Sequence, residues 1–276
     1  MGYKIAIRTH QLVYRSMTRP TLYDWEPNAN PAKAMFLLAE KGVSYEGHYV
    51  DLLGMEQHTP AYLALNPKGT IPTLVNGDQI LTESTPMMEY IDATFDGPVF
   101  TPSDPVERWR MRWWMLFFDS YLRPAISMPA WKRIFTPILE KRGANELTAA
   151  LSRIPDEQRR LSWRKAMFDE FTEAELAESQ RRYLYGLEVL ERHLADNPWV
   201  ACASYSLADI NGFTLGYAFP MIQPEHCNES KTPHIMSWLK RIYTRPAIIE
   251  SFKLGRTEMA DRAAVMIERF TREVAS

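Results

Sequence analysis

The stretch "TIPTLVNGDQILTEST", residues 70–85, narrows the possible folds more than any other. Pro72 has no N–H to give a β-ladder, so it belongs at a strand start or edge. Two apolar runs flank Asn76-Gly77-Asp78, and Asn-Gly in that setting signals a hairpin. Pro86 then falls where a first helical turn tolerates proline, and "MMEYIDATF" continues as a helix. Upstream, "TLYDW" reads as a strand, "EPNANP" as a turn and "AKAMFLLAEKG" as a helix. That helix sets Ala32, Met35, Phe36 and Ala39 on one face, with Gly42 at its end. "VSYEGHYVDL" alternates as a second strand, and "TPAYLALNPKG" is a short helix stopped by Asn66-Pro67. The order strand–helix–strand–helix–hairpin–helix predicts an α/β domain over residues 21–96, with parallel pairing across the first helix and antiparallel pairing in the hairpin.

Strand patterns stop at a Pro- and Gly-containing connection, residues 97–105. From 106 to 276 the segments are helical, beginning with "VERWRMRWWMLFFDSYL" and ending with "EMADRAAVMIERFTREVA". The first 20 residues carry Lys4, Arg8, Arg15 and Arg19 without the apolar core of a signal peptide, and read as an added arm.

Composition excludes several function classes. Among 276 residues, 32 Lys and Arg nearly balance 34 Asp and Glu, which gives no reason to expect nucleic acid or an anionic membrane as partner. No apolar run approaches the roughly 18 to 20 residues of a bilayer span. Cys202 and Cys227, the only cysteines, make neither a disulfide scaffold nor a tetrahedral zinc site, and a reducing cytoplasm is the default location. Histidines 10, 48, 58, 193, 226 and 234 show no metal-binding spacing, so no metal is expected. Nucleophile-elbow, P-loop and dinucleotide fingerprints are missing as well.

Four patterns are candidates for chemistry or folding. Ile71-Pro72 is either an ordinary strand-edge proline or a cis bond that turns the Ile71 backbone toward an extended peptide ligand. Glu83-Ser84 opens a helix whose free N–H groups attract a carboxylate, with Glu83 beside it for an ammonium; a plain cap is the alternative. Ser206-Leu-Ala-Asp209 has the spacing of a capping box and is assigned to folding. Trp109, Trp113, Phe117 and Tyr121 recur every fourth residue. They fit bundle core, or a stripe whose end walls an apolar pocket facing the first domain.

Together "LNPKGTIPTL", "LTES" and "SLADI" resemble a cytosolic glutathione transferase, from Leu22 to the end. The resemblance implies a thioredoxin-like glutathione-binding domain followed by an all-helical domain that supplies the electrophile pocket. It implies further that Ile71, ahead of a cis Pro72, pairs with the cysteinyl backbone of glutathione, and that Glu83 and Ser84 hold its γ-glutamyl end. His58 stands where the family often places a base for the glycyl carboxylate. A closer likeness, in "EQH", "MRWW…DSY", "IPDEQ…WRKA" and "KTPHIMSWLKRIYTRPAI", is to the bacterial β-etherases of lignin breakdown. In that branch glutathione thiolate displaces a phenol from the β carbon of an α-keto β-aryl ether.

Asn30 is then the residue that stabilises the thiolate, with Trp113, Phe117 and Tyr121 lining the aromatic substrate's pocket. Tyr23 is a second possible donor, less well placed on the first strand. The branch pattern has serine after the asparagine where this chain has Pro31, which offers neither hydroxyl nor N–H. The protein is expected to form a homodimer, or a heterodimer with a related transferase; the alternatives are thus a weakly or non-catalytic subunit of a heterodimer with an active relative, and a general glutathione transferase. The insertion at about 150 to 170 speaks against the general transferase.

Overall fold

The computed structural model describes residues 19–275; all but the last two residues of the expected arm lie outside them. Four strands, β1 (Thr21–Asp24), β2 (Glu46–Tyr49), β3 (Thr73–Asn76) and β4 (Gln79–Leu81), form one sheet in the order β2-β1-β3-β4. β1 and β2 are parallel, with Leu22 opposite Gly47, as the intervening helix α1 (Ala29–Glu40) requires. β3 runs antiparallel to β1, with Leu74 opposite Leu22, and turns through Gly77 into β4. A 3₁₀ turn (Glu56–His58) and the short helix α2 (Pro60–Leu65) precede β3, and α3 (Ser84–Thr94) follows β4.

The helical half opens with a rod. α4 (Pro105–Leu116), α5 (Arg123–Ala130) and α6 (Thr136–Leu139) are joined by π-helical turns at Phe117–Leu122 and Trp131–Phe135. α7 (Ala144–Ser152) and α8 (Glu157–Phe168) contain most of the segment read above as an insertion, and α9 (Glu173–Asp196) is the longest helix among the described residues. Then come α10 (Leu207–Gly216), α11 (Phe219–Ile222), α12 (Pro233–Tyr243), α13 (Pro246–Phe252) and α14 (Glu258–Ala275). Pro220 and Pro246 sit in the first turns of α11 and α13, where a proline is tolerated and the preceding helix cannot run on.

α1 buries more than the single face its pattern suggests. Every residue from Pro31 to Leu38 is buried, because α3, α10 and α13 all pack on it. Lys33 is therefore interior and has to find partners there. The two halves are also locked at the connection. The buried Asp92 carboxylate accepts from the Phe100 and Thr101 N–H groups (3.1 and 2.8 Å) and from Lys41 Nζ (3.3 Å), while Lys41 also donates to the Pro98 carbonyl at 2.8 Å.

Ser206 and Asp209 form the expected capping box at α10. Asp209 additionally accepts from the Val200 N–H and Trp238 Nε1, both at 3.0 Å, so one buried carboxylate ties three segments together. α10 crosses the first π turn at Gly212, where a Cβ would lie 2.5 Å from the Phe118 ring. That approach is open only to glycine. The insertion builds a small apolar cluster of its own, joining Leu147, Leu151, Trp163 and Met167 to Met55 of the β2–α2 segment. Arg142 donates to the Leu53 carbonyl beside it. The insertion therefore rests on the α/β half, directly above the loops that lead to β3.

Candidate active site

β1 delivers the chain to the loop Trp25–Asn28, which is anchored from two sides. Glu26 is fully buried, and its carboxylate accepts from Tyr49 Oη (2.9 Å), the Arg256 N–H (3.0 Å) and the Thr257 N–H (3.2 Å). The Arg256 guanidinium lies 4.1 Å above the Tyr49 ring. Asn28 occupies the N-cap position in extended geometry, so Asn30 is not the cap. Ala29 takes φ 48°, a left-handed conformation that costs an L-residue about 1–2 kcal/mol. Pro31 has no N–H, and the Ala32 N–H already bonds the Asn28 carbonyl at 3.3 Å. The free backbone donors of this helix start are thus Ala29 and Asn30. The Asn30 side chain makes no hydrogen bond among the described residues.

Residues 28–31 form one wall of a cavity of about 390 Å³. Gly69, Thr70 and Ile71 form the neighbouring wall. The opposite side comes from the helical half: Arg123, Ile126 and Ser127 of α5, Trp131 and Phe135 of the second π turn, Arg159 and Trp163 of α8, and Thr214 of α10. Aromatic rings frame the space, with Trp131 and Trp163 centroids 4.9 Å apart and Trp25 and Phe135 5.9 Å apart. No carboxylate lines it, whereas Arg123 and Arg159 both do. A cavity of this kind suits an aromatic ligand with electron-rich or anionic oxygens.

The Ile71–Pro72 bond is cis, and Ile71 faces the cavity with Pro72 buried behind it. The loop that presents Ile71 is held from beneath. Tyr62 Oη and Asn66 Nδ2 both donate to the Thr70 carbonyl at 2.7 Å, and Thr73 Oγ1 completes the network 2.9 Å from Tyr62 Oη. Gly69 has φ 58°, and a Cβ there would sit 2.3 Å from His58 Nδ1. His58 is consequently buried under the cavity wall, with both ring nitrogens unpartnered. Burial, helped by the charges of Arg159 and Arg153, pulls its pKa down to about 4. A neutral, covered imidazole cannot serve as the cation for a carboxylate, which corrects the expectation for His58.

Glu83 stands at the N-cap of α3 with φ 64° and ψ 98°, a sparsely populated conformation of the kind that collects at ligand sites. Its carboxylate is half exposed and pairs with Lys68 Nζ at 2.8 Å, which places it beside the 66–72 loop. Ser84 begins α3 and is half buried. Neither residue lines the cavity; both flank the loop that does. Tyr23 also stays off the cavity, packed against His48 with centroids 4.7 Å apart.

Trp113, Phe117 and Tyr121 are not in the cavity wall either. Their rings stack outward in a ladder, with centroids 5.6 and 5.4 Å apart, and Trp113 remains 43% exposed. The residues one step later, Trp114, Phe118 and Leu122, take the buried face. The π turns then add residues that rotate the rod, so the cavity receives Arg123, Trp131 and Phe135 instead. A strict four-residue period could not reveal these residues, because the phase change is not written in it.

Arg123 is held in place by an interior network centred on Asp119. The Asp119 carboxylate accepts from Lys33 Nζ (2.7 Å), Thr85 Oγ1 (2.5 Å), Arg123 Nη2 (3.3 Å) and Asn211 Nδ2 (3.4 Å). α1, α3, the rod and α10 thus meet at one carboxylate. Against the upward push of burial, Lys33 and Arg123 hold Asp119 below the usual carboxylate range. Burial, with Arg123 nearby, draws the Lys33 ammonium down to about 7 despite Asp119's attraction.

Comparison with known proteins agrees with this architecture. The family model "Glutathione S-transferase, N-terminal domain" matches residues 29–94, and "Glutathione S-transferase, C-terminal domain" matches residues 124–246. The chain belongs to the glutathione S-transferase family. Protein LigF of Sphingobium sp. (strain NBRC 103272 / SYK-6) is 32% identical, over 86% of this chain and 94% of its own. The crystal structure of beta-etherase LigF from Sphingobium sp. strain SYK-6 superposes with a TM-score of 0.81, covering 86% of this chain and 99% of that one. Glutathione S-transferase F9 of Arabidopsis thaliana is 27% identical over 79% of this chain and 90% of its own. Members of the family use glutathione as co-substrate. Among the described residues no helix is long and apolar enough to cross a membrane, and no cluster of His, Cys, Asp and Glu is arranged to hold a metal.

Proposed function

We propose that this protein is a glutathione-dependent β-etherase, acting on an α-keto β-aryl ether of the kind found in lignin. The observation that carries the reading is the likeness to beta-etherase LigF: a TM-score of 0.81, against 0.61–0.67 for seven other solved structures of similar fold. Glutathione lies along Ile71, with its γ-glutamyl end at Glu83 and Ser84 and its thiol at the start of α1. The thiolate attacks the β carbon, a C–S bond forms, and the Cβ–O bond breaks. The electron pair leaves with the phenolate, which takes its proton from water. The cage of Trp131, Phe135 and Trp163 receives the aryl groups, and Arg123 faces their oxygens from a wall without carboxylates. A cytoplasmic location, where glutathione is reduced and abundant, belongs to the same reading.

The thiol is the difficult step. A thiol of pKa about 8.5 must fall by about 2 units, roughly 2.7 kcal/mol, to be mostly ionised at neutral pH. A helix N-terminus contributes about 0.3–1 kcal/mol, and about 2 when partly buried. A hydrogen bond to a charged group adds about 1.5–3 kcal/mol. Asn30, at the cavity wall with its amide uncommitted, supplies that bond.

Pro31 favours a second reading, in which this chain is the weakly catalytic member of a dimer. It removes a hydroxyl and an N–H from the place where the thiolate would sit. The partly exposed ladder of Trp113, Phe117 and Tyr121 gives such a subunit an apolar strip to pair through. Phenol release from each enantiomer of an α-keto β-aryl ether with glutathione, by the chain alone and with candidate partner chains, separates the readings. Release by the chain alone supports the first. No release alone, and no loss on Asn30→Ala within an active complex, refutes catalysis by this subunit.

A further inference from the structure

The cavity's second guanidinium feels the charges of Asp156 and Glu83 but bonds to neither. Arg159, on the insertion helix α8, lines the cavity and makes no side-chain hydrogen bond or ion pair among the described residues. Its Nε is buried without an acceptor. The other cations near this end are committed or turned away. Lys68 is paired with Glu83 at 2.8 Å, Arg160 donates to the Ile154 carbonyl at 2.8 Å, and Arg123 is tied to Asp119. A half-buried guanidinium whose Nε has no acceptor, facing a cavity that no carboxylate lines, is costly unless an anion arrives to meet it.

The surroundings of Arg159 also narrow the choice of anion. Gly69 lines the same cavity, and the neutral His58 ring directly beneath it is close enough to feel the charge of Arg159. On the glutathione reading, Ile71 fixes the middle of the tripeptide and Ser84 its γ-glutamyl end, so the glycyl end runs back along Thr70 and Gly69. We propose that Arg159 receives the glycyl carboxylate of glutathione, in the place that His58 cannot fill. This rests on the glutathione reading above and adds to it a receptor from the helical half. The insertion then serves both ligands, Arg159 holding the tripeptide and Trp163, four residues on, walling the electrophile. Co-substrate loading would depend on a segment that packs on the α/β half through Met55 and its neighbours.

The test measures affinity by calorimetry on the full chain with three probes: glutathione, its glycyl ethyl ester, and γ-glutamylcysteine, which lacks the glycine. Wild type is expected to bind glutathione roughly 10- to 100-fold more tightly than either analogue, the range of a charged hydrogen bond. Arg159→Gln should lose that preference, weakening glutathione to the level of the analogues and leaving the analogues within about two-fold of wild type. Arg164→Gln, on the solvent side of α8 and paired with Glu170, should change nothing. Matched melting temperatures show that both variants fold. If Arg159→Gln weakens all three probes alike, or wild type does not distinguish glutathione from its ester, the assignment falls while the glutathione reading stands. If wild type retains none of the three, both fall.

Discussion

Replacing Asn30 with alanine should raise the pKa of the bound glutathione thiol by about 1–2 units, the equivalent of one charged hydrogen bond. The magnitude follows from what α1 leaves available. Pro31 removes one backbone donor and Ala32 spends its own on Asn28, so Ala29 and Asn30 provide the only free N–H groups of the first turn. Those two and the helix dipole supply about 2 kcal/mol at most, short of the roughly 2.7 kcal/mol needed. On the reading proposed above, the amide of Asn30 makes up the difference. The assay is the ultraviolet absorbance of the thiolate in the saturated complex, titrated from pH 5 to 9. The chain's own thiols stay out of that window, since burial pushes Cys227 up to about 12 and Cys202 upward as well. Pro31→Ser, which restores a hydroxyl and an N–H, should shift the curve the opposite way. If Asn30→Ala binds glutathione normally and titrates as wild type does, Asn30 has no part in ionising the thiol, and the dipole argument must be rebuilt.

Asp119→Ala strands a buried Lys33 and should cost about 3–5 kcal/mol, a fall in melting temperature on the order of 10 °C, with most of it recovered by adding Lys33→Met. A double variant no better than the single would show that the ion pair does not hold the network. Asp24 is raised to about 7 by burial, against the pull of Arg256, so its folded pKa lies above the unfolded value. Its ionisation cost is absent below about pH 4, builds between pH 4 and 7, and reaches at most about 4 kcal/mol. Urea melts should therefore show Asp24→Asn gaining on wild type from pH 5 to 8; a constant difference would refute the shift. Gly69→Ala meets both a left-handed φ of 58° and the His58 ring. It should weaken glutathione retention on a column more than ten-fold while leaving most of the secondary structure signal intact, a loss of at least about 1.4 kcal/mol in binding.

Much of this protein is written locally. The alternation of "TLYDW", the Asn76-Gly77 turn and the proline before β3 specify the sheet, because strand period and turn chemistry depend on residues a few positions apart. The Ser206–Asp209 cap is legible for the same reason, as are the presentation of Ile71 and the opening of α3 at Glu83-Ser84. His58 read as a basic ligand because spacing along the chain says nothing of depth; the approach of Gly69 is what buries it. Trp113, Phe117 and Tyr121 read as a pocket wall because a four-residue period looks the same on any face of a helix. Two π turns changed the phase of the rod and sent Arg123, Trp131 and Phe135 inward. The sequence by itself determined the order of elements and the family, and it offered the start of α1 as the candidate segment for a thiol. Only the tertiary structure decided which cations face that segment. Arg123 and Arg159 come from helices far along the chain, and a cavity wall is an outcome of how those helices cross, which no local pattern records.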